Sequence, residues 1–159
     1  MDKNLLKDTE NYWTNRADGY SQVNQEELSG VQHENWKDFL VQEIERHYPG
    51  HQPSEIHILD IGCGPGFFSV ILAECGYPVT AIDYTQAMLE KAKGNARDCG
   101  VHRISFLQMD AQALDFSDDT FDLIVSRNLT WNLQDPERAY REWRRVLKKD
   151  GLLLNFDAE

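Results

Sequence analysis

The residues best able to do chemistry lie in the middle third of the chain. Asp60 leads the run Ile58-Leu59-Asp60-Ile61-Gly62-Cys63-Gly64-Pro65-Gly66, with glycine at three alternate positions. Glycine enters φ > 0 freely and has no Cβ, so a ligand can approach such a turn closely. Between a strand and a helix, the turn also aims free N–H groups at that ligand. Asp83 follows at the end of a second apolar run, where a carboxylate can accept both hydroxyls of a ribose. Each hydrogen bond to a charged group contributes roughly 1.5–3 kcal/mol. Asp110-Ala111 is placed to meet an adenine edge, the carboxylate taking the exocyclic amine and a backbone N–H a ring nitrogen. Met88 can pack on the adenine face or serve as plain core. Taken singly, the glycine turn can be a turn without a ligand, Asp83 a cap, and Asp110 a solvated loop residue.

Two cofactor classes suit an adenosine crevice. Dinucleotides favour G-x-G-x-x-G, with the pyrophosphate on the helix N-terminus. Here the pattern is G-x-G-x-G, Phe67 stands where the last glycine would fall, and Asp60 precedes the turn. That carboxylate would repel a pyrophosphate but can help hold an ammonium. Adenosine joined to an amino acid is S-adenosylmethionine. A nicotinamide dehydrogenase is the weaker alternative.

The elements that must position these residues alternate. His33 to Tyr48 reads as an amphipathic helix with Trp36, Phe39, Leu40 and Ile44 on one face, ended by Pro49-Gly50. Residues 56–61 form a first strand and 66–75 its helix, with Gly76 as C-cap. Residues 78–82 form a second strand. Thr85 caps a helix running to about Cys99. Arg103 to Met109 is a third strand and Phe121 to Ser126 a fourth. Asp135-Pro136 starts a helix carrying Ala139, Trp143, Val146 and Leu147. Lys148 and Lys149 suit its C-terminal end, Gly151 stops it, and Leu152 to Phe156 is a fifth strand. Such alternation predicts right-handed βαβ units: an α/β, doubly wound, mostly parallel open sheet of order 3-2-1-4-5 with helices on both faces. Ligands of such sheets sit beyond the carboxyl ends of the strands, where Asp60, the glycines, Asp83, Asp110 and Ser126-Arg127-Asn128 converge.

These motifs, with Gln108-Met109-Asp110-Ala111, Phe121-Asp122-Leu123-Ile124-Val125-Ser126 and Arg144-Arg145-Val146-Leu147-Lys148-Lys149-Asp150-Gly151, resemble the ordered set of class I S-adenosylmethionine-dependent methyltransferases. The likeness covers about residues 36–156. It implies that Asp60, Gly62, Gly64 and Gly66, with Cys63 between them, line the methionine part of the cofactor. Asp83 would hold the ribose, and Tyr84 and Met88 would flank the adenine. Asp110 and Ala111 would bind the adenine edge. Arg127 and Asn128 would line the methyl-transfer mouth. The segment Trp13-Thr14-Asn15-Arg16-Ala17-Asp18-Gly19-Tyr20 resembles the lead segment of small-molecule members. Residues 1–32 are then a cap or lid, with Trp13 and Arg16 on the substrate side and Tyr20 near the cofactor; the alternative is a helix packing its aromatics beside the domain. Residues 33–159 form the cofactor-binding domain. Trp131 is either a stacking platform for the substrate or a loop anchor. The implied function is methyl transfer to a small-molecule acceptor, and no general base is assignable.

Composition sets the remaining bounds. The chain of 159 residues has a net charge of -11, which disfavours a nucleic-acid partner. No apolar run approaches the ~20 residues of a membrane span, and the start lacks a signal-peptide pattern. Three cysteines without metal-type spacing read as free thiols in a reducing cytoplasm, and no metal site is expected. Family domains usually carry two further strands after the fifth. The chain ends at Glu159, which suggests truncation. An exposed apolar edge at Leu152-Leu153-Leu154 would then favour a homodimer, and a cofactor-binding domain without turnover is the alternative to an active enzyme.

Overall fold

A computed structural model describes residues 6–12, 14, 17 and 30–157. Trp13, Arg16 and Tyr20 lie outside the described residues. Five strands, β1 (Ile58–Ile61), β2 (Val79–Asp83), β3 (Ile104–Gln108), β4 (Phe121–Arg127) and β5 (Leu147–Phe156), form one sheet in the order β3-β2-β1-β4-β5. All four strand pairs are parallel. Helices α1 (Val31–His47), α2 (Phe67–Glu74), α3 (Gln86–Asp98) and α4 (Pro136–Val146) cover it.

The short central strand β1 is buried along its whole length. Successive side chains of a strand point to opposite faces, so a strand covered on both sides is apolar on both, and Asp60 is the exception in β1. On one face Ile58, Val79, Leu123 and Val125 pack with Leu40 and Ile44 of α1 and with Phe67, Phe68, Ile71 and Leu72 of α2. On the other, Leu59, Ile61, Ile82 and Ile124 pack with Ala139, Trp143 and Val146 of α4. Helix α3 adds Leu89 against Ala81. The winding reverses between β1 and β4, and the crevice opens there. None of the helices among the described residues is long and apolar enough to cross a membrane.

Two local readings change. Helix α4 stops at Val146, not at Gly151, and β5 begins at Leu147. The β4–β5 register jumps from Phe121↔Leu147 to Leu123↔Leu152, so residues 148–151 bulge out of the ladder. The bulge is held by an ion pair from Lys148 Nζ to Asp122 Oδ1 at 3.1 Å. Gly151 is needed because a Cβ there would lie 2.5 Å from Leu147 Cδ1 and 2.9 Å from the Lys148 carbonyl. Thr85 does occupy the N-cap of α3, but its side chain makes no cap bond. Asp83 Oδ1 instead accepts the Thr85 N–H at 2.9 Å.

Candidate cofactor and substrate site

The turn after β1 is built from main-chain constraints. Gly62, Gly64 and Gly66 have φ of 66°, 54° and 90°, each in the left-handed region. Each glycine does a different job. A Cβ on Gly62 would come 2.9 Å from Leu129 Cδ1, so this position admits the loop after β4. A Cβ on Gly66 would come 3.1 Å from Ala92 Cβ, so this one lets α3 approach. A Cβ on Gly64 would meet nothing within 4 Å. Gly64 therefore faces open space, and that space is a cavity.

The cavity measures about 230 Å³ and lies at the carboxyl ends of the strands. Of the residues expected to form the site, Asp60, Gly62, Cys63, Gly64, Asp83, Tyr84, Met88, Asp110, Ala111, Arg127 and Asn128 all line it. Two others are placed elsewhere. Gly66 is turned to α3 and is absent from the wall, because its free side is taken by Ala92. Trp131 sits in a short 3-10 turn (Thr130–Asn132), is 64% exposed and is not on the wall; its neighbours Leu129, Asn132 and Leu133 are.

Electrostatics differ along the wall. Asp60 is 3% exposed, and the Ser69 hydroxyl donates to its Oδ2 at 2.6 Å. Burial pushes its carboxyl up to about 7, the Ser69 bond opposing and the Asp83 charge adding to the rise. Asp83 is also raised by burial, against the pull of the Thr85 and Gly64 N–H groups. The Gly64 N–H donates to Asp83 Oδ2 at 2.9 Å, so this carboxylate stiffens the glycine turn from the next strand. The Thr85 side chain bonds the same carboxyl, and of its roughly four acceptor directions these three bonds leave room for a ligand hydroxyl. Burial and the two nearby carboxylates raise the Cys63 thiol well above its ordinary value, which makes it an inert wall atom.

At the β3 end, Asp110 Oδ1 accepts the Gln112 N–H at 2.9 Å, and the Trp143 indole N–H donates to the Ala111 carbonyl at 2.9 Å. Helix α4 thus holds the Asp110-Ala111 loop from below. At the β4 end, the Arg127 guanidinium lies over the rings of Phe67, Trp36 and Phe68, at 4.9, 5.3 and 5.7 Å from their centroids. Arg127 is the cation among the described residues lining a wall that carries three aspartates. Asn128, at φ 57°, turns the chain away from β4.

Sequence reasoning missed several wall residues. Leu6 and Thr9 reach the cavity from the N-terminal helical residues, and Gln112, Leu133 and Gln134 line it from two loops. Gln112 carries one weak signal, its place two residues after Asp110.

The residues present fit S-adenosylmethionine. Gly64 leaves the room that a side chain would fill, Asp60 is an under-paired buried carboxylate suited to an ammonium, and Asp83 retains acceptor directions for a ribose. A dinucleotide's pyrophosphate at the same turn would face both Asp60 and Asp83.

Comparisons agree with this geometry. A family model described as a methyltransferase domain matches residues 59–155. An uncharacterized methyltransferase, YcgJ, of Bacillus subtilis is 39% identical over 65% of this chain and 41% of its own length. A demethylmenaquinone methyltransferase of Leptospira interrogans is 35% identical over 79% of this chain and 50% of its own. The chain thus spans about half the length of the curated relatives it matches. Among solved structures, a Methanococcus maripaludis protein provisionally assigned as an S-adenosyl-L-methionine-dependent methyltransferase superposes with a TM-score of 0.72 at 27% identity, over 89% of this chain and 63% of that one. On the match over residues 59–155, the sheet order and the wall chemistry, the chain belongs to the class I S-adenosylmethionine-dependent methyltransferases, with S-adenosylmethionine as its cofactor.

Proposed function

We propose that this chain transfers a methyl group to a small-molecule acceptor. The observation carrying the reading is the convergence of Asp60, Gly64, Asp83, Asp110 and Arg127 on one cavity from four strand ends. When bound, the cofactor supplies a sulfonium methyl that passes to a nucleophile, with the S–C electron pair staying on sulfur and the acceptor losing a proton. The chain's own residues bind and orient. Asp60 holds the ammonium and Arg127, pinned on its aromatic platform, the carboxylate of the amino-acid part. Asp83 takes the ribose hydroxyls and Asp110 the adenine amine, with Tyr84 and Met88 beside the ring. Phe67, Leu129 and Leu133 keep water from the reacting end. Proximity and orientation of this kind can supply roughly 7–11 kcal/mol of a barrier.

Residues 1–32 serve as a lid in this reading. Leu6 and Thr9 line the cavity, and Gln108 Nε2 lies 3.4 Å from Glu10 Oε1. Among the described residues strand β5 has a strand partner on one side only, with Leu153 exposed, which suits pairing with a second copy. Sedimentation showing a strict monomer would remove the dimer.

Relatives named for demethylmenaquinone and for ubiquinone/menaquinone synthesis make reduced, unmethylated quinones the first acceptors to try. The test is calorimetry with S-adenosylhomocysteine, then transfer of labelled methyl to an acceptor panel headed by reduced demethylmenaquinone. Binding and turnover are expected. Failure of a folded sample to bind overturns the cofactor reading. Binding without transfer to any acceptor leaves a cofactor-binding domain without turnover.

A further inference from the structure

Gln134 lies just before the N-cap of α4 and lines the cavity. Its Nε2 is buried and has no hydrogen-bond partner, the single such side-chain atom among the described residues. A buried amide donor without a partner has given up its water and gained nothing, so folded proteins rarely keep one. Its neighbours fix where it stands. The Asp135 N–H donates to Gln112 Oε1 at 2.6 Å. Gln112, only 2% exposed, lies with its own N–H and Nε2 at 2.9 and 3.3 Å from Asp110 Oδ1. The backbone beside Gln134 is therefore tied, through one side chain, to the Asp110 end of the cavity.

We propose that Gln134 reads the purine: its side-chain amide donates a hydrogen bond to a ring nitrogen of the bound nucleoside. The inference rests on the assignment of Asp110 to the adenine amine. Asp110 then recognises a donor on the base and Gln134 an acceptor, so the two together select adenine by opposite chemistry. None of the wall's acceptors, Asp110 and Gln112 among them, bonds the Gln134 amino group. The last torsion of a glutamine is broad, so the amide of this cavity-lining residue can turn to meet a ligand. In the ligand-free protein the unpartnered donor destabilises the fold, and the purine relieves it.

The experiment is calorimetry with S-adenosylhomocysteine and its 1-, 3- and 7-deaza forms, on the protein and on Gln134→Met, with thermal melts of both in the absence of ligand. Methionine keeps the length and removes the donor. Three results are expected. Gln134→Met binds S-adenosylhomocysteine about tenfold more weakly. The unmodified protein discriminates by a similar factor against one deaza form that the variant accepts as well as S-adenosylhomocysteine itself. The variant melts about 2–4 °C higher without ligand, because the buried donor is gone. A variant that binds like the parent overturns the proposal. So does one that loses affinity and melting temperature together, since that describes a structural residue. If the unmodified protein takes up no S-adenosylhomocysteine, the cofactor reading itself has failed. If it binds but shows no deaza discrimination, only the role of Gln134 has.

Discussion

Two buried aspartates on neighbouring central strands meet opposite fates. Asp122, at the amino end of β4, is 9% exposed; Asp60, at the carboxyl end of β1, is 3% exposed. Asp122 is fully engaged: Lys148 Nζ lies 3.1 Å from Oδ1, and the His57 N–H donates to Oδ2 at 2.8 Å. Its carbonyl accepts the Tyr48 hydroxyl at 2.7 Å. Asp60 has the hydroxyl and N–H of Ser69 but, among the described residues, no cation in place of Lys148, and it faces a cavity and a second carboxylate. A buried charge needs a partner or it protonates. At the amino end of the sheet the chain provides that partner. At the carboxyl end the proposed ligand ammonium takes that place. Residue type is the same and both are buried; under the proposed function the partner decides which aspartate is structural and which binds.

Exchanging the two ends by substitution tests this contrast. Asp83→Ala removes an acceptor that fixes both the Gly64 and Thr85 N–H groups and is assigned the ribose. Calorimetry is expected to show affinity for S-adenosylhomocysteine falling by about 100-fold or more, with the fold kept. Asp122→Asn should do the reverse. It leaves the half-exposed Lys148 without its partner and lowers stability by about 1 kcal/mol, a drop in Tm of roughly 2–4 °C, while ligand affinity stays within about twofold. A large loss of affinity in Asp122→Asn would end the distinction between the two ends.

Asp60→Asn sharpens it through pH. In the folded, ligand-free protein Asp60 holds its proton up to about 7, whereas its ordinary value is 3.8. The folded state therefore binds more protons across that window, and the stability Asp60 contributes is lost as pH rises through it. An ammonium ligand favours the carboxylate, so affinity for S-adenosylmethionine should rise with pH up to about 7 and then level off. In Asp60→Asn both slopes flatten, and affinity at pH 8 falls about tenfold. Melts and calorimetry from pH 5 to 8 measure both. The smallest effect is expected at Trp131. Trp131→Ala should change stability by less than about 0.5 kcal/mol and S-adenosylhomocysteine affinity by less than about twofold, since the indole is solvent-exposed and off the cavity wall.

The strand order and the assembly of the site were legible because their signals are local. Apolar runs of strand length, glycines in a turn and an Asp-Pro helix start each act within a few residues, and a right-handed α/β winding then brings the strand ends together. The bulge at residues 148–151 was not legible, since Lys148 leaves the helix register for the distant Asp122 carboxylate. Nor was the placement of Gly66, because what fills the space beside it is Ala92 of another element.

By itself the sequence determined the parallel α/β sheet, the glycine turn and the aspartates that reach the crevice, because periodicity and backbone freedom are properties of short segments. Tertiary structure alone decided which glycine faces the cavity, which aspartate is left under-paired and which loop residues complete the wall. Those outcomes depend on what lies across the gap, and burial and pairing are set by neighbours far away in the chain.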